Sequence, residues 1–182
     1  MYFIGLNPGG NIDDEEARGS ILDSLVYSRI GGNAFDQDWS SPGRKYMPGF
    51  APMQARFKAI ASFLGIAYGA IPASNLVFTR SVDVASHPEF AGDRAACAQV
   101  HRIFMDAIRP RKLWVMGSTD QAADLLTDQK IEWQDARHAK WSIGHGRAMF
   151  CGREVELCHT PHLSLWDPTG KEDLLRFAFG MS

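Results

Sequence analysis

Three places in the chain put a polar side chain with chemical capability directly after an apolar run. They are Asn7 in Gly5-Leu6-Asn7-Pro8-Gly9-Gly10, Asn75 after Ser74, and the pair His159 and His162 in His159-Thr160-Pro161-His162-Leu163-Ser164. A carboxamide presents one donor and one acceptor, which suits the reading of a ligand edge. An imidazole can donate a hydrogen bond to a developing anion or move a proton near neutral pH. Taken singly, each has a plainer role: Asn7 turns the chain before Pro8, Asn75 satisfies its own loop backbone, and His162 is a bonded loop histidine. Their shared setting at strand ends raises them above that. Cys158 beside His159 offers the residue types of thiol chemistry, but neighbours on a strand face opposite sides and make a poor nucleophile–base pair.

The elements that must position these groups alternate. Residues 2–6 read as a buried strand, with acidic residues 13–16 suiting the first turn of a helix. The stretch 31–52, rich in Gly, Pro and aromatics, reads as a long functional loop. Met53, Phe57, Ile60, Ala61 and Leu64 fall at helical spacing with Gly65 as C-cap. Residues 75–79 read as a second strand. A helix over 89–108 places Ala96, Val100, Ile103, Phe104 and Ala107 on one face and stops at Pro110. Residues 112–116 form a third strand, and Gly117-Ser118 turns into a helix through Leu126, with Ser118 and Gln121 at capping-box spacing. Residues 147–151 and 154–159 read as paired strands around Gly152, and 171–179 as a last helix. This order predicts an α/β fold with a mainly parallel sheet, in which ligands sit at the carboxyl ends of the strands.

The 182 residues suit one domain, with 19 basic against 21 acidic side chains and a net charge of −2. Such a balance gives no global attraction to nucleic acid, so any such binding must be local. The local candidate is 136–153, where Arg137, Lys140, Arg147 and Arg153 interleave with His138, Trp141, His145 and Phe150 and no acidic residue occurs. That mixture suits phosphates and stacked bases, or else is a solvated hairpin face. Three cysteines without a C-x-x-C pair argue for reduced thiols, against a zinc or iron–sulfur site, and a cytoplasmic chain is expected. No apolar run reaches the roughly 20 residues of a membrane helix.

With these residues in view, the chain resembles the uracil-DNA glycosylase superfamily. Gly5-Leu6-Asn7-Pro8-Gly9 is similar to the first motif of its mismatch-specific and single-strand-selective branches, where an Asn replaces the Asp of the main uracil-DNA enzymes. Ser74-Asn75-Leu76-Val77 resembles the strand whose Asn reads the base. Asp93 through Arg109-Pro110-Arg111-Lys112-Leu113-Trp114-Val115-Met116-Gly117 to Leu126 resembles the thermophile-type branch, and Thr160-Pro161-His162-Leu163-Ser164 resembles the His-Pro-Ser motif with the Pro replaced. The resemblance implies a three-layer αβα sandwich around a mainly parallel four-stranded sheet.

It also implies cleavage of the bond between a base and its sugar, in uracil or a related damaged base flipped out of DNA. His162 would donate to the base as it departs as an anion, and Asn7 would orient water under the sugar, more weakly than an Asp. Asn75, Pro8, Gly9 and Ser164 would border the base. Gly117 and Ser118 would hold a phosphate at a helix N-terminus, Leu165 or Trp166 would wedge into the gap left in the stack, and Arg147 would meet the backbone. The family's stacking aromatic is missing from its usual neighbourhood, Ala17-Arg18-Gly19-Ser20, so Phe35 or Tyr46 would substitute, Phe35 first. Of the iron–sulfur ligands of the thermophile-type branch only Cys97 has a counterpart, so no cofactor is expected. The partner implied is DNA, with no metal and no membrane, and the chain acts as a monomer. The alternative is a glycosylase-fold module that binds nucleic acid or a nucleotide without cleaving it, towards which the mild acidity argues.

Overall fold

The computed structural model describes residues 1–6, 26–38, 45–79, 81–122 and 125–181. Asn7, Pro8 and Gly9, the acidic stretch 13–16 and Ala17 to Ser20 lie outside the described residues. The rest is an α/β structure with one mixed six-stranded sheet. Its elements are β1 (Tyr2–Gly5), α1 (Pro52–Phe63), β2 (Ala73–Asn75), α2 (Phe90–Ile108), β3 (Lys112–Met116), β4 (Leu126–Asp135), β5 (Ser142–Phe150), β6 (Arg153–Thr160) and α3 (Glu172–Ala178).

The sheet order is β2-β1-β3-β6-β5-β4. The first four strands run parallel, and β5 and β4 extend the sheet as an antiparallel pair. The expected four-stranded sheet is therefore corrected to six strands of mixed direction. The strand not expected is β4, which starts at Leu126, where the expected helix was to end, and continues through residues that were given no element. Only one 3₁₀ turn, Asp120–Ala122, precedes it among the described residues. Its solvent-facing run Thr127-Asp128-Gln129-Lys130 with Glu132 and Asp135 is how an edge strand discourages pairing with other chains.

Alternation along the parallel strands sends side chains into two cores. Phe3, Trp114 and Cys158 face α1 and α3, meeting Phe57, Ile60, Leu174 and Leu175. Tyr2, Ile4, Leu113, Val115 and Leu157 face α2. Helix α2 buries Cys97, Ala98, His101 and Met105, a face rotated from the one its periodicity suggested, and Ile103 is 64% exposed. The rotation follows from His101, which finds polar partners inside. Its Nε2–H donates to the Leu76 carbonyl at 3.0 Å, and Nδ1 lies 3.3 Å from the Tyr2 hydroxyl, itself 2.5 Å from Ser74 Oγ. Burial pushes the Tyr2 phenol up to about 12 and holds His101 below its ordinary value, so both are neutral at pH 7. This buried chain bonds the residues on either side of Asn75 and fixes the end of β2.

Candidate active site

The carboxyl ends of β1, β3 and β6 open onto a cleft of about 670 Å3, within the range of small-molecule sites. Its walls bring together Leu6, Gly117, Ser118, Asp120, Trp133, Lys140, Trp141, His159 and His162. A second concavity of about 750 Å3 lies on β4, β5 and β6 away from these strand ends. Arg111, Lys130, Arg147, Glu132, Glu154 and Glu156 line it, so its charges largely neutralise one another, and Val155 alone is apolar. The strand-end cleft is the better candidate because it joins an apolar wall to a few polar groups.

His162 owes its position to its neighbours. Leu163 and Trp166 are both fully buried, the Trp166 indole N–H donates to the Ala136 carbonyl at 2.9 Å, and Arg56 Nη1 donates to the Leu163 carbonyl at 2.8 Å. These anchors leave His162, Ser164 and Leu165 on the outer side of the loop. The Ser164 backbone N–H donates to His162 Nδ1 at 3.3 Å, and the Ser164 hydroxyl lies 2.6 Å from the same nitrogen. An N–H can only donate, so Nδ1 is the acceptor and Nε2 carries the proton. Burial holds the imidazole below its ordinary value. At pH 7 His162 is thus a neutral ring with an N–H available to a ligand.

His159 lines the same cleft, so strand alternation does not divide the two histidines between different sites. Its Nε2–H donates to the Gly117 carbonyl, and its Nδ1 is buried without a hydrogen-bond partner among the described residues. Burial lowers its pKa against the opposing pull of the Gly117 carbonyl. Trp133 packs edge-on against it, ring centroids 5.0 Å apart. That contact exists because β4, β5 and β6 align Trp133, Gly144 and His159 in one row, and Gly144 has no side chain to separate them. A Cβ on Gly144 would come within 2.7 Å of the Trp133 ring.

Asn75 ends β2 opposite Gly5 of β1. Its Oδ1 would lie 2.7 Å from a Cβ on Gly5, so the carboxamide rests over a backbone that only glycine leaves open. Asn75 does not line the cleft. Three strand spacings, about 14 Å, separate β2 from β6. Gly117, Ser118 and His162 are therefore brought together, with Asn75 set to one side on the same rim.

Several expected roles change. Phe35 is 8% exposed, stacks on Phe57 with centroids 3.8 Å apart and meets Phe3 edge-on. It is a core residue and no platform for a base. Trp166 is likewise interior, whereas Leu165 is 61% exposed beside His162. Among the described residues Gly117 and Ser118 precede a three-residue 3₁₀ turn, where Ser118 Oγ accepts from the Asp120 N–H at 3.3 Å, in place of the helix N-terminus expected to hold a phosphate. Arg147 pairs with Glu156 across the sheet, five residues along β5 from the end that meets the cleft, or about 17 Å. It lies 3.5 Å from Glu154 and lines the other concavity.

Trp141 of the basic and aromatic strip lines the cleft, and Trp133 joins it as a cleft residue whose role the sequence left unread. The alternation of Ile131 and Trp133 with polar residues, facing a Gly144-x-Gly146 strand, was the available signal. Among the described residues no group of three or more His, Cys, Asp or Glu is arranged to hold a metal, and no helix is long and apolar enough to cross a membrane. Comparison of the chain with protein-family models, with curated proteins and with solved structures finds no match to any of them.

Proposed function

We propose that this protein is a DNA glycosylase of the uracil-DNA type, hydrolysing the bond between sugar C1′ and the nitrogen of an extruded uracil or related base. The observation that carries the proposal is His162, held by Ser164 as a neutral imidazole on the wall of the strand-end cleft, its Nε2–H without a hydrogen-bond partner among the described residues. As the bond breaks, its electron pair goes to the base and positive charge builds on the sugar, as in other glycosidic cleavages. The Nε2–H donates to the developing anion, a preorganised interaction commonly worth about 3 to 4 kcal/mol at the transition state. Water adds to C1′, and its proton leaves to solvent or to the base. The sequence motif assigns the orientation of that water to Asn7.

Parallel order β2-β1-β3-β6 with helices on both faces agrees with the sandwich that the resemblance implies, here enlarged by β5 and β4. Leu165 suits insertion into the gap left by the extruded nucleotide. A second reading, binding of a nucleotide without cleavage, is favoured by the pairing of the basic strip, which withholds its cations from a DNA backbone. Arg137 is bonded to Asp173, Arg147 to Glu154 and Arg153 to Asp106. Incubation with an end-labelled uracil-containing single strand, followed by alkali, tests the proposal. Scission at the uracil position is expected, and an intact strand at stoichiometric protein would favour the binding reading.

A further inference from the structure

We infer that the antiparallel hairpin of β4 and β5 supplies a two-point grip on one nucleotide, with the base stacked on Trp133 and its phosphate met by Lys140. This deepens the proposed function and rests on it for the identity of the ligand. Trp133 is 45% exposed on the cleft wall, while one side of its ring is closed by Gly144 and His159. A large aromatic held in this way offers an open π surface that costs little further ordering when a base lies against it. Phe35, the first of the aromatics expected to stack, does not compete for the role, since it is in the core.

The charge around the cleft points the same way. Arg137 is bonded to Asp173, Arg56 lies 3.5 Å from Asp167, and Lys171 donates to the Asp167 carbonyl at 2.7 Å. Lys140 lines the cleft and has no carboxylate partner among the described residues, and Asp120 on the facing wall disfavours a second phosphate. With one available cation among the described residues, the site makes about one phosphate contact, far fewer than the roughly 6 to 10 of proteins that track a duplex. Affinity therefore comes chiefly from stacking, and the salt dependence is shallow.

The test uses uracil-free oligothymidylate, so binding is read without cleavage. Tryptophan fluorescence of the full chain is titrated with an eight-nucleotide single strand, with thymidine monophosphate, and with a duplex of the same sequence, from 50 to 200 mM salt. The expected results are quenching by the single strand, a log–log salt slope of about −0.7, and binding at least tenfold weaker for the duplex. Trp133→Leu keeps apolar cover over Gly144 but removes the indole, and weakens binding about tenfold to a hundredfold. Trp133→Phe retains most of the affinity, and Lys140→Gln brings the slope close to zero.

Monophosphate binding as tight as the oligomer would assign the grip to a free nucleotide and overturn the DNA ligand while leaving Trp133 in place. Unchanged affinity in Trp133→Leu, with its circular dichroism and melting intact, would overturn the grip itself. So would a slope of −3 or steeper. Because the readout is binding, failure of the grip is distinguishable from failure of the glycosylase reading: uracil release that persists in Trp133→Leu would reject the one and keep the other.

Discussion

Ser164→Ala isolates the part of the site that depends most on local geometry. Two Ser164 groups reach His162 Nδ1, the backbone N–H at 3.3 Å and the hydroxyl at 2.6 Å. The substitution removes only the second. A neutral hydrogen bond of this kind contributes about 1 kcal/mol net, which is about a fivefold change in the ratio of the two ring tautomers and so an upper limit of about fivefold on the loss of the form with its proton on Nε2. His162→Ala removes the donor altogether and costs about 3 to 4 kcal/mol at the transition state, or two to three orders of magnitude. Single-turnover release of uracil from a labelled strand should therefore fall by at most about fivefold in Ser164→Ala and by a hundredfold to a thousandfold in His162→Ala, with affinity for the strand nearly unchanged in both. A purely structural role for Ser164 would leave the tautomer alone, so the ¹⁵N shifts of the His162 ring provide the separating readout. Protonated Nε2 is expected in the wild type, with a more mixed signal in Ser164→Ala. Equal losses of rate and binding in His162→Ala would refute the reasoning, as would a wild-type ring protonated at Nδ1.

Other consequences follow from where the expected site residues lie. Trp166→Ala opens a cavity in the core and should lower stability by about 3 to 5 kcal/mol in a denaturant titration, whereas Leu165→Ala should leave the melting curve unchanged and slow release of uracil from duplex more than from single strands. Arg147→Glu should leave both affinity for single strands and its salt slope as in the wild type, because Arg147 is about 17 Å from the rim; a flattened slope would return it to the interface. His101 and His159 are both buried with lowered pKa values, so the unfolded chain takes up protons before the folded one does. Their contribution to stability is complete above about pH 6.5 and is lost as pH falls below it. The slope is about 1.4 kcal/mol per pH unit for each histidine until its own folded-state value is reached. Melting temperatures between pH 7.5 and 5.5 check this, and a flat profile would contradict the neutral buried histidines.

Much of the architecture was legible because strong local signals agreed with tertiary demand. Lys112–Met116 is a strand at the expected residues, α1 ends just before Gly65 at φ 68°, and α2 ends at Arg109 in the left-handed region just before Pro110. Residues 127–135 showed no element because an edge strand carries few apolar residues, and the helix expected through Leu126 gives way, among the described residues, to a 3₁₀ turn at Asp120–Ala122 and the start of β4. The buried face of α2 was misplaced for a related reason: periodicity counts apolar residues, while His101 is interior through bonds to Tyr2 and Leu76.

The site was legible in part. His162, Gly117 and Ser118 line the cleft because short polar residues after apolar runs mark strand ends, and strand ends meet on one rim. Phe35 and Trp166 were given surface roles because an aromatic's sequence neighbourhood does not distinguish a platform from a core filler. Arg147 was grouped with Lys140 by proximity along the chain, yet a strand of nine residues carries its two ends to opposite edges of the sheet. Trp133 acquires its position only from the register that sets it across Gly144 from His159.

Hydrolysis at the base–sugar bond is tested most directly by mass spectrometry of the products formed from a uracil-containing single strand in ¹⁸O-labelled water. The account predicts free uracil without label and an abasic strand carrying one ¹⁸O at C1′, with both products absent in His162→Ala on the same timescale. Unreacted strand in the presence of equimolar wild-type protein, or release that continues at the same rate without His162, would contradict it.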